Sequence, residues 1–196
     1  MHPHESDQQT RAAPRQGRGA HAVSLLWGFA EATVFFVVPD VWISRRALSS
    51  RPAALRSCAF ALAGALVGGV LLYFAGRHHE AALLALFERL PAIGPGLVAR
   101  VQAQLQDMGG PGLLVGGFSG APYKLYAVQA ASAGLGLPVF IACSVVARGA
   151  RFLAVALLAH AIARRATPRL GAALVRRIWW FAWVVFYALY WALMPG

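Results

Sequence analysis

Residues Gly109 to Leu137, GGPGLLVGGFSGAPYKLYAVQAASAGLGL, form the stretch that decides the fold. The stretch is apolar enough for a membrane, yet glycines and Pro122 interrupt it, and it carries Lys124, the only lysine among the 18 basic residues. Non-helical backbone at membrane depth is tolerated only where it is buried in protein or lines a water-filled cavity. We therefore predict a re-entrant helix–turn–helix over residues 109–135, broken at Gly120, Pro122 and Gly134, with Lys124 near its tip. The alternative is a kinked helix whose Lys124 extends its ammonium to the membrane surface.

The composition is typical of an integral membrane protein. Hydrophobic residues make up 59% of the 196 positions and charged residues only 13%, which argues against a soluble domain. The formal net charge of +11 would indicate nucleic acid in a soluble protein. Here most arginines flank apolar segments, so we expect anionic headgroups of membrane lipids as partners and no nucleic acid. The two cysteines lack metal-ligand spacing, and no metal or other cofactor is predicted.

A second broken segment is predicted over residues 22–43, which contains Glu31 and ends on Pro39 and Asp40. Arginines precede it at positions 11, 15 and 18 and follow it at positions 45, 46, 51 and 56. Because positive flanks stay in the cytoplasm, both ends should lie on the same side, as in a re-entrant hairpin broken at Pro39. A true span with an atypical charge balance is the alternative. Residues 1–19 are polar and without periodicity, and we predict a disordered tail.

The rest of the chain predicts about three full transmembrane helices. Residues 53–76 and 138–163 are each long and apolar enough to cross a bilayer, and an outer amphipathic loop is predicted between them over residues 77–108. Residues 164–196 are expected to form a basic cytoplasmic loop followed by an aromatic-rich C-terminal transmembrane helix. These segments predict an all-α, multi-pass membrane protein with a cytoplasmic N-terminus and an external C-terminus; its location in the bacterial inner membrane is an expectation from the family resemblance given below.

The two halves share one pattern, a broken hairpin followed by a span, which predicts an inverted repeat with opposed hairpins. Their charges are complementary: Glu31 and Asp40 lie in the first half, whereas Lys124, Arg148 and Arg151 lie in the second. Arginines three positions apart share one helical face and can bind a phosphate group. We therefore predict that Lys124, Arg148 and Arg151 bind an anionic headgroup. Glu31, a candidate proton carrier, and Asp40 are expected to exchange protons or to pair with these bases when the site is empty. The alternative is that all five form structural ion pairs only.

Three stretches, taken together and in order, resemble the DedA/VTT (SNARE-associated) membrane family, most closely its YqaA-like branch. They are EATVFFVVPDVWI (31–43), GGFSGAPYKLYAVQAASAGL (116–135) and ARGARFLAVALL (147–158). The resemblance implies two opposed re-entrant hairpins and movement of lipids between leaflets, for some members of a polyprenyl phosphate driven by the proton-motive force. It also implies that Glu31 and Asp40 match the acidic hairpin positions and that Lys124 stands one residue closer to the proline than the second hairpin arginine. The first hairpin arginine falls at Ser119, where this sequence departs from the family pattern.

The expected function is translocation of an anionic lipid or amphiphile, as in a flippase or scramblase. The movement is expected to be either coupled to protons or passive, and a homo-oligomer is one of the expected assemblies. Two alternatives stay open: a membrane scaffold or assembly factor without transport, and a proton-coupled exporter of small molecules. An enzyme is not expected, because the sequence shows no Ser-His-Asp or HExxH pattern and Ser119 has no evident base.

Overall fold

The computed structural model describes residues 6–90 and 93–193, with side chains for residues 18–90, 93–117 and 119–193. Helices are the only regular secondary structure in these ranges, which confirms the all-α part of the predicted fold class. Seven helices occur in them: α1 Ser6–Thr33, α2 Asp40–Ala47, α3 Arg51–Phe87, α4 Pro95–Met108, α5 Gly110–Ser119, α6 Tyr123–Gln129 and α7 Leu137–Leu193. Two of them, α3 and α7, are long and apolar enough to cross a membrane.

The first two helices form an antiparallel pair. Helix α1 ends at Thr33 and α2 begins after Pro39, so that residues 34–39 form a turn. The indole of Trp42 donates to Ser24 Oγ at 2.9 Å, which places α2 beside the middle of α1. The indole of Trp27 donates to the carbonyl of Val37, also at 2.9 Å, and secures the turn itself. The chain therefore reverses at Pro39, as predicted for this residue.

Small residues let α1 cross α3 at close range. A Cβ atom on Gly28 would collide with the backbone of Ala61, and one on Gly64 would collide with the backbone of Leu25. Further along both helices, Gly68 packs against Ala32. The contacts advance from Gly28 with Ala61 to Ala32 with Gly68, in the same direction on both helices, so α1 and α3 run parallel. The end of α1 consequently lies beside the midpoint of α3.

The second helix–turn–helix consists of α5 and α6. Helix α5 ends at Gly120, whose φ of 85° is left-handed, and Pro122 precedes α6. Glycine adopts such a φ without the steric cost that a Cβ atom would add. Helix α6 is buried along its whole length and packs on the second half of α3, where Gly69 faces Tyr123 and Gly76 faces Val128. The break between α5 and α6 therefore also lies at the midpoint of α3.

Two segments, residues 6–19 and 77–108, are more helical than the sequence predicted. Residues 6–19, expected to be a disordered tail, belong to α1, whereas residues 1–5 lie outside the described ranges. The expected outer loop 77–108 instead continues α3 through a kink at His79 and then forms α4. Ala, Leu, Gln and Glu dominate this loop and favour helix. In α4 the apolar stripe Val98, Val101 and Leu105 is buried in the core, which stabilises the helix by packing.

Helix α7 consists of two antiparallel arms that meet at Gly171 (φ 76°, ψ 150°). The ring of His160, before this break, lies 3.0 Å from the carbonyl of Ala47. After the break, the indole of Trp179 donates to Ser44 Oγ at 2.9 Å. Both contacts lie at the same end of α2, so the chain has folded back. The predicted basic loop is helical on both sides of Gly171, and the predicted C-terminal span lies in the second arm.

Candidate functional site

Two ion pairs join the first helix–turn–helix to α7. Arg148 donates to Glu31, and both side chains are less than a tenth exposed. Arg151 donates to Asp40 Oδ2 from Nε at 2.9 Å and from Nη2 at 2.5 Å. The i, i+3 spacing puts both guanidinium groups on the face of α7 that meets α1 and α2. Five charged residues were singled out from the sequence. The structure joins four of them in two separate acid–base pairs.

Aromatic rings surround the deeper pair. The guanidinium of Arg148 lies 4.6 Å from the ring centre of Tyr123 and 5.1 Å from that of Phe152. Such cation–π contacts stabilise a cation that has left water. The hydroxyl of Tyr123 donates to Ser144 Oγ at 2.9 Å. Tyr123, the first residue of α6, therefore links the second helix–turn–helix to the Arg148–Glu31 pair.

Lys124 forms a different contact from the one expected. Its ammonium donates at 2.8 Å to the backbone carbonyl of Phe35, in the turn between α1 and α2. Neither of the ion pairs found among the described residues includes Lys124. The bond to Phe35 uses one N–H group of the ammonium, which leaves two. Because the side chain is buried, few water molecules can accept from these two groups. Through this one bond the turns of the two helix–turn–helix units meet.

A cavity of about 140 Å³ lies where the two turns and α7 meet. Glu31, Lys124, Arg148 and Arg151 line it, together with aromatic side chains, but Asp40 does not. The volume is enough for several water molecules or a small anionic group. Asp40 is instead buried behind Arg151, where its Oδ1 has no hydrogen-bond partner among the described residues. We conclude that Asp40 acts on the cavity through Arg151.

The site carries an excess of positive charge. Three basic side chains (Lys124, Arg148 and Arg151) stand against two carboxylates (Glu31 and Asp40), which leaves a net charge of +1 when all five are ionised. The Nε of Arg148 is also buried without a partner among the described residues. A buried excess charge is costly unless it is compensated. The arrangement can therefore accept one negative charge from a ligand.

The C-terminal arm of α7 closes one side of the cavity, which the sequence did not predict. Phe186, Tyr187 and Tyr190 line the cavity. The backbone N–H of Val38 donates to the hydroxyl of Tyr187 at 3.0 Å. The dense tyrosines and tryptophans of this arm indicated only a position at the membrane interface. The available signal in the sequence was the spacing of Tyr187 and Tyr190, which are three residues apart and so lie on one helical face.

The four predicted hairpin breaks all lie at helix ends or turns. Pro39 precedes α2, Gly120 and Pro122 separate α5 from α6, and Gly134, with a φ of 77°, lies in the turn before α7. Among the described residues, no group of three or more His, Cys, Asp or Glu side chains could hold a metal ion.

No family model, curated protein or solved structure matches the chain.

Proposed function

We propose that this chain is a DedA/VTT-like protein of the bacterial inner membrane that translocates an anionic lipid or amphiphile. In this proposal the α1–α2 and α5–α6 units are re-entrant hairpins that enter from opposite leaflets. The observation that carries the proposal is the contact between their turns, Lys124 to Phe35, beside a cavity at which the five charged side chains, Asp40 behind Arg151 included, sum to a net charge of +1.

The depth of the two turns supports the re-entrant arrangement. Both turns pack at Gly68 and Gly69 of α3, which are 17 and 18 positions after its first residue, Arg51. A helix rises about 1.5 Å per residue, so the turns lie about 26 Å along α3. A bilayer is about 40–45 Å thick including its headgroups. If α3 crosses the membrane from Arg51 onward, both turns lie near mid-depth.

The proposed mechanism follows from the charge balance. An anionic headgroup neutralises the excess charge, with Lys124 as a point charge and the planar guanidinium of Arg151 as a two-bond donor. Arg151 suits this role because its side chain is 31% exposed. When the headgroup also attracts Arg148, Glu31 loses its partner and takes up a proton. Protonation of Glu31 raises the excess charge from +1 to +2, which a headgroup with two negative charges, such as a phosphate monoester, balances while the hairpins alternate.

The test is transport of a labelled anionic phospholipid in liposomes that contain the full-length protein. We expect Lys124→Ala and Glu31→Gln to abolish transport, since each changes the charge of the cavity. Arg176→Gln is the matched control, because Arg176 is exposed and lies outside the cavity. Addition of a protonophore separates coupled from passive movement. Transport at the wild-type rate in both cavity variants would refute the assigned site.

A further inference from the structure

A second, separate pocket lies near the end of the first arm of α7, shortly before the break at Gly171. It has a volume of about 290 Å³ and is lined by Arg51, Leu157, His160, Ala161, Arg164 and Arg165. Five of these residues belong to α7, at positions that recur on one face of a helix. The sixth, Arg51, is the first residue of α3. The pocket forms because these antiparallel helices bring the start of α3 beside residues 157–165.

The charge of this pocket is uncompensated. Three guanidinium groups face it, and neither ion pair of the described residues involves any of them. Of the carboxylates with described side chains, Glu31 and Asp40 are paired elsewhere. Glu80 and Glu88 lie 29 and 37 residues after Arg51, at the far end of α3, about 40 Å or more away at the rise of an α-helix. The remaining carboxylate with a described side chain, Asp107, lies in α4, which packs against α5 and α6. The three arginines are exposed to solvent, and the pocket is therefore strongly cationic and attracts anions.

Two features prepare the pocket for an anion. The ring of His160 is oriented by its Nδ1, which lies 3.0 Å from the buried carbonyl of Ala47. Because a carbonyl only accepts, Nδ1 carries the proton, and Nε2 is left for a ligand. In addition, the pocket borders the N-terminal end of α3, where the helix dipole favours negative charge. Together with three arginines, this arrangement has the donors that a phosphate group needs.

The apolar wall of the pocket decides the kind of phosphate. Leu157 lines the pocket and is 42% exposed, and Leu153, one turn before it, is 44% exposed. These leucines continue from the arginines along the outer face of α7, which has the composition of a membrane-spanning helix. A phosphate that carries an acyl chain would occupy both parts at once. Free phosphate would leave the leucines bare.

We propose that this pocket, which the central cavity does not include, binds the phosphate headgroup of an anionic phospholipid. The phosphate accepts from Arg51, Arg164 and Arg165, and its own P–OH group donates to His160 Nε2, while the lipid chain lies on Leu157. The site is an equilibrium binding site at the basic end of the helices. Its occupation does not depend on whether the central cavity transports lipid.

The experiment measures the Kd of the full-length protein for a fluorescent phosphatidic acid in neutral detergent micelles. The pocket variant is Arg51→Gln/Arg164→Gln/Arg165→Gln. The control is Arg169→Gln/Arg176→Gln/Arg177→Gln, which removes the same charge from arginines that are also exposed but do not line the pocket. We expect the pocket variant to weaken binding about tenfold or more, because each arginine in contact with the phosphate adds a few-fold in affinity. We expect the control to weaken binding less than threefold, because arginines that do not touch the lipid contribute only a screened, long-range attraction. Equal weakening by both would overturn the proposal.

A second measurement separates lipid from free phosphate. Inorganic phosphate is used as a competitor, and Leu157→Gln is compared with the wild type. We expect millimolar phosphate to displace the lipid poorly, and Leu157→Gln to weaken phosphatidic acid but not inorganic phosphate. If inorganic phosphate binds as tightly as phosphatidic acid, the assignment to a lipid is refuted. Should the triple variant fail to fold, Arg165→Gln alone is expected to weaken lipid binding about threefold, and an unchanged Kd would refute the site.

Discussion

Removal of one partner from the Asp40–Arg151 pair should affect stability unequally, depending on which partner is lost. The carboxylate is only 4% exposed, whereas the guanidinium is 31% exposed and borders the cavity. Arg151→Gln leaves a buried charge without its partner, and we expect a loss of about 3–5 kcal/mol in the free energy of unfolding. Asp40→Asn leaves a cation that can turn toward the cavity, and we expect a smaller loss of about 1–2 kcal/mol.

The geometry sets an upper bound for this effect. Unit charges 2.9 Å apart, the distance from Arg151 Nε to Asp40 Oδ2, attract each other by about 6 kcal/mol at an effective dielectric constant of about 20. The partial exposure of Arg151 and the desolvation of Asp40 offset much of that attraction. We therefore expect a coupling energy of about 1–3 kcal/mol in the double-mutant cycle.

The assay is reversible unfolding of the purified protein by sodium dodecyl sulfate in mixed micelles, for both single variants and the double variant. Arg176→Gln serves as the control and should change stability by less than about 0.5 kcal/mol. Additive effects in the cycle, or a larger loss from Asp40→Asn than from Arg151→Gln, would refute the reasoning.

Two further predictions concern packing. Gly76→Val should destabilise the protein by about 3 kcal/mol or more in the same unfolding assay, because its Cβ would meet the backbone of Val128, which cannot move aside. The control is Gly19→Ala, which has nothing within 4 Å of its Cβ and should be neutral or stabilising by up to about 1 kcal/mol. Equal losses from both would contradict the close contact of α3 with α6. Tyr187→Phe removes the acceptor for the N–H of Val38 and should cost about 1 kcal/mol, seen as faster hydrogen exchange of the Val38 amide; unchanged exchange would show that the hydroxyl does not hold this arm of α7 against the turn.

The sequence predicted the helical class and the positions of the turns because those features depend on local chemistry. Prolines and glycines interrupt apolar segments at Pro39, Gly120 and Pro122, and these residues lack either an amide proton or a Cβ atom. Acids in the first half and bases in the second half indicated complementary charges, and the structure pairs Glu31 with Arg148. Placement of the turns within a membrane, the family and transport all stay predictions.

Other features could not be predicted because their causes lie in tertiary contacts. Helix α4 is stabilised by packing of the narrow apolar stripe Val98, Val101 and Leu105. The prediction of a loop over residues 77–108 used the balance of charged residues, which carries no information on such packing. The reversal at Gly171 follows contacts of both arms of α7 with α2, more than 100 residues away in sequence. The partner of Lys124 is a main-chain oxygen, for which no residue type is diagnostic.

That last contact has a consequence for how the molecule would respond to sequence change. Every amino acid has a carbonyl, so position 35 can accept almost any replacement while the Lys124 ammonium keeps its acceptor. Alanine scanning would pass over the turn, and correlated substitutions in homologues would leave no trace of the link. Only a change to the main chain itself, such as an ester in place of the amide that follows Phe35, would weaken the acceptor without altering a side chain.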